Sequence, residues 1–276
     1  MPRKLGIIAG GGTLPARLVR ACRDAGRPVF VLALKDHCDA AALGSDVDQA
    51  WIRMGEAGTG IRLLHEAGVS DLVMAGGVDR PTIAGLRPDW RTARFFARLG
   101  FKALGDDSLL SAVTRELEAE GFCIVGVHDV LPDLSPETGI LGRHTPDESA
   151  RADIARAVEV VRALGALDVG QGAVVQQGIV LGVEAVEGTD RLLARCRALA
   201  RPGPGGVLVK LCKPGQETRV DLPTVGPDTI SNAAAAGLRG VAVHAGRSLL
   251  VDREATIAAA DAAGLFLLAI DPEVAA

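Results

Sequence analysis

The chain contains no tyrosine, and aromatic residues make up 3% of it, so the stacked-ring platforms that hold single-stranded nucleic acid are missing. Neither sign of charge dominates: 30 lysines and arginines stand against 34 aspartates and glutamates, for a formal net charge of -4. That balance exerts no long-range pull on nucleic acid or anionic lipid, and no nucleic-acid partner is expected. Cys22, Cys38, Cys123, Cys196 and Cys212 include no Cys-x-x-Cys and are odd in number. They fit neither a disulfide framework nor a structural zinc site, and read as buried thiols. His37, His65, His128, His144 and His244 never fall four apart, so the zinc-protease spacing is absent. The longest apolar runs, such as 262–270, fall well short of the ~20 residues a membrane-spanning helix needs. The basic start is too brief for a secretory leader, so a soluble, cytoplasmic protein is expected.

What is there is apolar mass and glycine. With 276 residues and 48% apolar content, the chain can bury one large core or two modest ones. From the start, strand-like and helix-like stretches alternate: "KLGIIAG", "LPARLVRACRDAG", "PVFVLAL", "GIRLLHEAG", "DLVMAGG". Short apolar runs bounded by glycine and separated by helix-length segments indicate βαβ units and a parallel sheet. Residues 129–146 hold three prolines and two glycines without a sustained period and read as a linker. Beyond it, Thr145, Pro146 and Glu148 have the form of a capping box, followed by a stripe of Ile154, Val158, Val161 and Leu164. Then "GAVVQQGIVLGVEAVEG" reads as two strands joined by a tight turn at Gln177-Gly178, and "GGVLVKLCK" and "TRVDLP" as further strand. The expected class is α/β: a Rossmann-like parallel-sheet domain at 1–133, a linker at 134–146 and a mixed α/β domain at 147–276.

Five places can carry chemistry. In "LGIIAGGGTLP", Gly10, Gly11, Gly12 and Thr13 follow an apolar strand, but Pro15 stands where a dinucleotide fingerprint needs its third glycine. An ordinary tight βα connection explains the run. The entropy cost of three consecutive glycines favours a backbone wall for an anionic or sugar ligand instead. A second elbow, Gly76-Gly77, ends another parallel strand and can form the opposite wall of one crevice; Asp79 and Arg80, next in the chain, are a solvated turn pair or a source of charge, and Lys102 in "KALGDDSLL" is placed to reach a phosphate. In "DVGQGAVV", Gln171 between Gly170 and Gly172 is not a packing residue, so it is either a turn glutamine or a ligand contact. Thr189 or Asp190 in "EAVEGTD" is expected to cap the next helix, and Glu184 and Glu187 are ligands or solvated charges.

The fifth stretch, "KLCKPGQETRVDLPTVG", is the most informative. If extended, it puts Glu217, Arg219 and Asp221 on one face, with Lys210, Lys213 and Gln216 just upstream and Thr224 just after. A surface salt-bridge face is the plain reading. Carboxylates beside cations also suit a phosphate and a divalent cation: Asp221 and Glu217 as oxygen ligands, Lys213 and Arg219 balancing phosphate charge.

Taken in order, "KLGIIAGGGTLP", "AGGVDRP", "DVGQGAVV", "EGTD" and "KPGQETRVDLPTVGPDTI" resemble the LpxI family of UDP-2,3-diacylglucosamine pyrophosphatases of lipid A biosynthesis. The resemblance implies two α/β domains joined by a linker, with a lipid-linked nucleotide sugar held between them. It implies hydrolysis of the pyrophosphate to UMP and 2,3-diacylglucosamine 1-phosphate with Mg²⁺ or another divalent cation. The family's essential aspartate falls on Asp221, as a ligand of that cation or, in the competing role, as a direct general base. In that light Gly10, Gly11, Gly12, Thr13, Gly76, Gly77, Lys102, Gly170, Gln171, Gln216 and Thr224 are expected to bind substrate. Where many relatives carry a polar residue in the second elbow, Gly77 offers backbone alone. A lipid substrate without a visible anchor implies peripheral contact with the inner membrane of a Gram-negative bacterium. Homodimers are the commonest oligomers, and that alone sets the expectation of one here. The rival readings are an NAD-dependent dehydrogenase, disfavoured by the broken fingerprint, and a non-catalytic nucleotide-sugar-binding protein.

Overall fold

Leu5, Ile7 and Ala9 of the first strand are fully buried, and around this strand the first of two compact units, Met1–Pro132 and Asp133–Ala276, is built. The computed structural model describes residues 2–78, 88–99 and 106–274. Element order in the first unit is β1 (Leu5–Ala9), α1 (Leu14–Asp24), β2 (Val29–Leu34), α2 (Ala40–Leu43), β3 (Gln49–Ile52), α3 (Ala57–Glu66), β4 (Asp71–Ala75), α4 (Trp90–Leu99), α5 (Asp106–Ala119), β5 (Cys123–Ile124) and α6 (Val127–Val130). The strands form a parallel sheet in the order β3-β2-β1-β4-β5. The chain winds outward from β1 and returns to β4 on its other side, so the switch point of this doubly wound sheet lies between β1 and β4. The helices follow their apolar spacing: α1 buries Leu14, Leu18, Val19 and Cys22, and α3 buries Ile61 and Leu64. Pro15 sits in the first turn of α1, where a missing N–H costs nothing.

In the second unit, a 3-10 turn (Pro132–Leu134) begins at the boundary, and β6 (Gly139–Ile140), α7 (Glu148–Ala166), β7 (Gly172–Gln176), β8 (Ile179–Val183), α8 (Gly188–Arg197), β9 (Val207–Lys210), β10 (Thr224–Val225), α9 (Pro227–Ala235), β11 (Gly240–His244), β12 (Leu249–Leu250), α10 (Arg253–Ala262) and β13 (Phe266–Ile270) follow. Six strands make a mixed sheet in the order β6-β13-β11-β9-β7-β8, and β10 and β12 pair separately. Period-two alternation divides its side chains between two layers. Val174, Leu208, Val241, Val243 and Leu267 pack with Leu192, Leu193 and Ile230 of α8 and α9. Ala173, Val175, Val207, Val209 and Leu268 pack with Ile154, Val158 and Val161 of α7. Each fully buried aliphatic side chain stabilises the unit by about 1.5–3 kcal/mol.

The hairpin is as its sequence implies: β7 and β8 pair antiparallel, and Gln177 and Gly178 both take positive φ, 55° and 75°, the pattern of a type I′ turn. Other expectations are corrected. Residues 139–140, within the stretch read as linker, form β6 against β13. The N-cap of α7 is Asp147, whose carboxylate accepts from Ala150 N at 2.7 Å, in place of Thr145. Arg239, from a remote part of the chain, donates to the same Asp147 oxygen at 2.9 Å and fixes that choice. Cys22, Cys196 and Cys212 are buried thiols, whereas Cys38 is half-buried and Cys123 exposed on the short edge strand β5.

Candidate active site

The expected site residues fall into two groups, one in each unit. In the first, β1 and β4 run in register with Ala9 opposite Ala75, so both glycine elbows leave the sheet side by side. Their backbones then bond to each other. Gly10 N donates to Ala75 O at 2.8 Å, Gly11 N to Gly77 O at 2.7 Å, and Gly77 N to Gly11 O at 3.0 Å. The expectation that these elbows are opposed walls, each turning its amides to a ligand, is corrected here: those of Gly10, Gly11 and Gly77 are spent between the elbows. A Cβ on Gly10 would stand 2.5 Å from Gly77 O, and one on Gly76 2.5 Å from Gly11 O. Glycine is required there so that two backbones can touch. Gly12, Thr13 and Gly77 are exposed at this switch point, and Thr13 makes no side-chain cap to α1. Lys102, Asp79 and Arg80 lie outside the described residues.

In the second unit, β7 runs antiparallel to β9 with Gly172 opposite Lys210. The loop entering β7, the residues leaving β8 and the loop leaving β9 therefore meet at one end of the sheet. Glu184 N donates to Gly172 O at 2.8 Å, and Leu211 N to Gln171 O at 2.9 Å. A Cβ on Gly170 would sit 1.9 Å from Glu184 O, so the close approach of the loop after β8 dictates glycine there. Gln171 turns a buried Oε1 that has no hydrogen-bond partner among the described residues.

The loop leaving β9 carries Asp221. Lys213 N donates to Gln216 Oε1 at 2.7 Å, and Gln216 Nε2 donates to Asp221 Oδ2. Residues 217–221, read as extended, are a helical turn, because Val220 N and Asp221 N both donate to Glu217 O at 3.1 Å. Glu217 and Asp221 still share a side, since a four-residue offset on a helical turn does what a two-residue period would do on a strand. Arg219 folds back on Glu217, Nε to Oε1 at 2.8 Å and Nη2 to Oε2 at 2.7 Å. This fork holds the Glu217 carboxyl below its ordinary range, against a smaller opposing effect of burial. Lys213 Nζ donates to Asp168 Oδ1 at 2.6 Å. Both expected phosphate cations are thus each held by a carboxylate. Thr224 is exposed, its hydroxyl donating to Leu222 O at 3.1 Å.

Three residues join this end of the sheet that sequence patterning assigned elsewhere or left open. Lys210 Nζ donates to Thr189 Oγ1 at 2.7 Å and to Thr224 O at 3.2 Å. Thr189 Oγ1 donates to Glu184 Oε1 at 2.9 Å. Thr189 is therefore not a helix cap; the N-cap of α8 is Glu187, without a side-chain bond. A lysine closing an apolar strand, "VLVK", is the one signal in the sequence that points to this group.

For a divalent cation, the donor set is narrow. Both Glu217 oxygens bond Arg219, and no group of three or more His, Cys, Asp or Glu side chains converges among the described residues. Mg²⁺ characteristically takes one or two carboxylates, waters and substrate phosphate oxygens. Asp221 fits that role; Glu217, in its bond to Arg219, does not.

Comparison with known proteins separates the same two regions. Residues 4–134 match the LpxI N-terminal domain and residues 137–268 the LpxI C-terminal domain. The chain is 46% identical over 281 aligned positions, 98% of its own length and 99% of the other's, to UDP-2,3-diacylglucosamine pyrophosphatase LpxI of Caulobacter vibrioides. The chain belongs to the LpxI family. Of its LpxI domains, the N-terminal one holds the glycine elbows and the C-terminal one the segment from Lys210 to Thr224. Two solved structures resemble it far less. The biotin carboxylase domain of a thermophilic 2-oxoglutarate carboxylase, bound to ADP, has 14% identity and a TM-score of 0.23 over 63% of this chain and 35% of its own. Carboxyaminoimidazole ribonucleotide synthase of Aspergillus clavatus, complexed with ATP, has 16% identity and a TM-score of 0.25 over 72% and 44%. At those scores neither bears on fold or ligand.

Proposed function

We propose that this chain hydrolyses the pyrophosphate bond of UDP-2,3-diacylglucosamine, releasing UMP and 2,3-diacylglucosamine 1-phosphate, a step of lipid A biosynthesis. One observation carries the reading: 46% identity along 98% of the chain to a pyrophosphatase of that name. The chemistry of the Asp221 loop is consistent with it. Gln216 donates to the Asp221 carboxylate, which fixes its direction.

Asp221 is the residue that would hold Mg²⁺. A cation bound there supplies charge neutralisation to the diphosphate. The chain's own residues do the rest. Gln216 orients Asp221, while Lys213, steadied by Asp168, and Arg219, steadied by Glu217, stabilise charge growing on the phosphate oxygens. Water supplies the new oxygen: it adds to one phosphorus as the bond from that atom to the bridging oxygen breaks. The bridging oxygen leaves on the other phosphate, and the proton lost by water passes to solvent. Gly12, Thr13 and Gly77 in the first unit and Thr224 in the second are exposed, and Gln171 has a buried Oε1 without a hydrogen-bond partner among the described residues; these groups are suited to substrate contact. Because that substrate is a lipid, the reading puts the protein at the inner membrane face as a peripheral visitor. No helix among the described residues is long and apolar enough to cross a membrane.

The test is release of UMP and of the diacylglucosamine phosphate from purified protein, followed by mass spectrometry with Mg²⁺ and with EDTA. Wild type is expected to release both in Mg²⁺, and Asp221→Ala to be slower by at least about 100-fold. No release by wild type overturns the activity. Full rate in Asp221→Ala overturns the site, and an unchanged rate in EDTA overturns the cation.

A further inference from the structure

Strand β9 is apolar for three residues and ends on Lys210, which is 5% exposed. An ammonium that deep is costly unless it is hydrogen-bonded and its charge balanced. Two of its three protons go to Thr189 Oγ1 and Thr224 O. A hydroxyl has a single proton, and that of Thr189 goes to Glu184 Oε1, so only its lone pairs are left for Lys210. The order Glu184, Thr189, Lys210, Thr224 therefore has one direction. Glu184 is 7% exposed, and its other oxygen, Oε2, is buried without a hydrogen-bond partner among the described residues. An orphaned carboxylate oxygen opposes folding, so packing does not account for Glu184, whereas balancing the charge of Lys210 does.

The far end of this chain of bonds explains what the charge is used for. In the short pairing of β10 with β12, Leu249 N donates to Pro223 O and Val251 N to Val225 O, both at close to the ideal length, 2.8 and 2.9 Å. Carbonyls alternate along an extended strand, so the intervening one, on Thr224, turns away from β12, and Lys210 takes it. Pro223 makes the link from Thr224 back toward Asp221 stiff. Gln216 holds Asp221 from upstream, and Lys210 holds the same loop from downstream.

We propose that Glu184, Thr189 and Lys210 form a buried relay that positions the Asp221–Thr224 segment for the hydrolysis proposed above, on which this inference rests. None of the three is a catalytic residue; each acts through the backbone that carries Asp221.

Thr189→Val removes the hydroxyl at nearly constant volume, and Thr189→Ser restores it. Steady-state kinetics and amide hydrogen exchange are measured on both and on wild type. The expected result for Thr189→Val is a kcat lower by on the order of 100-fold with KM within about threefold, and faster exchange confined to residues 221–226. Thr189→Ser is expected to recover both. Wild-type kcat in Thr189→Val, a loss that serine does not restore, or exchange raised across the whole mixed sheet each overturns the relay. If Thr189→Val does not fold, Glu184→Gln, which keeps the shape and removes the charge, is judged by the same measures. If wild type hydrolyses nothing, the functional reading fails, and exchange alone decides the relay: a local rise at 221–226 supports it and an unchanged pattern overturns it.

Discussion

Gln216 joins Lys213 to Asp221, and its amide can face only one way. The Lys213 backbone N–H is a donor, so Gln216 must turn Oε1 to it, at 2.7 Å, and is left with Nε2 to give Asp221. Gln216→Glu replaces that donor with a second carboxylate against the first. Like charges in contact raise the pKa of one of the pair. The variant is expected to lose between about 10- and 100-fold in kcat at neutral pH. It should regain part of that toward acid, where a proton on one carboxyl restores the bond. A pH–rate profile parallel to that of wild type would show that this contact does not orient Asp221.

Arg219 and Glu217 make a second prediction, with a defined sign. Glu217 is held below its ordinary value of 4.5, first by its bond to Arg219. A depressed folded-state pKa means that the pair's contribution is fully present above the ordinary value and is lost as pH falls through the lowered one. The contribution is small, because 36% of the Arg219 side chain and 21% of the Glu217 side chain remain exposed. Arg219→Gln is expected to move the Glu217 titration back up toward its ordinary value, so that the carboxylate is lost at higher pH than in wild type. Carboxyl-carbon NMR titration of both proteins reads this directly. Wild-type Glu217 titrating at the ordinary value would remove the fork as a feature of the protein in solution.

What was legible in the sequence is what is local. The β1 and β4 runs, the stripe on α7 and the Gln177-Gly178 turn each follow from spacing or from a turn chemistry that few residues satisfy. Non-local bonds hid the rest. Asp147 displaced Thr145 as a cap because Arg239 binds it. Residues 139–140 became a strand because β13 offered an edge. In the Asp221 loop the charges at 217, 219 and 221 fit a strand period, but Glu217 and Asp221 also fit a helical one. Backbone bonds to Glu217 O decide between them, with the Gln216 side chain tying the turn together. The grouping of Glu184, Thr189 and Lys210 depends on β7 running against β9, which no single segment announces.

The two glycine elbows give a prediction that separates packing from ligand contact. Gly76 has φ of 97°, and an added Cβ would stand 2.5 Å from Gly11 O; at Gly10 it would stand 2.5 Å from Gly77 O. Both obstacles are backbone, which cannot turn aside as a flexible side chain does. Gly10→Ala and Gly76→Ala are expected to destabilise the first unit by about 1–3 kcal/mol, with faster amide exchange in β1 and β4. At Gly77 the same methyl would meet nothing within 4 Å among the described residues, and Gly77→Ala is expected to change stability by no more than about 0.5 kcal/mol. If Gly77→Ala nevertheless raises KM for the nucleotide sugar while its unfolding is unchanged, the exposed rim of the elbow touches substrate. If Gly10→Ala is as stable as wild type, the backbone contact between the elbows is not what demands glycine, and a ligand becomes the remaining reason for it.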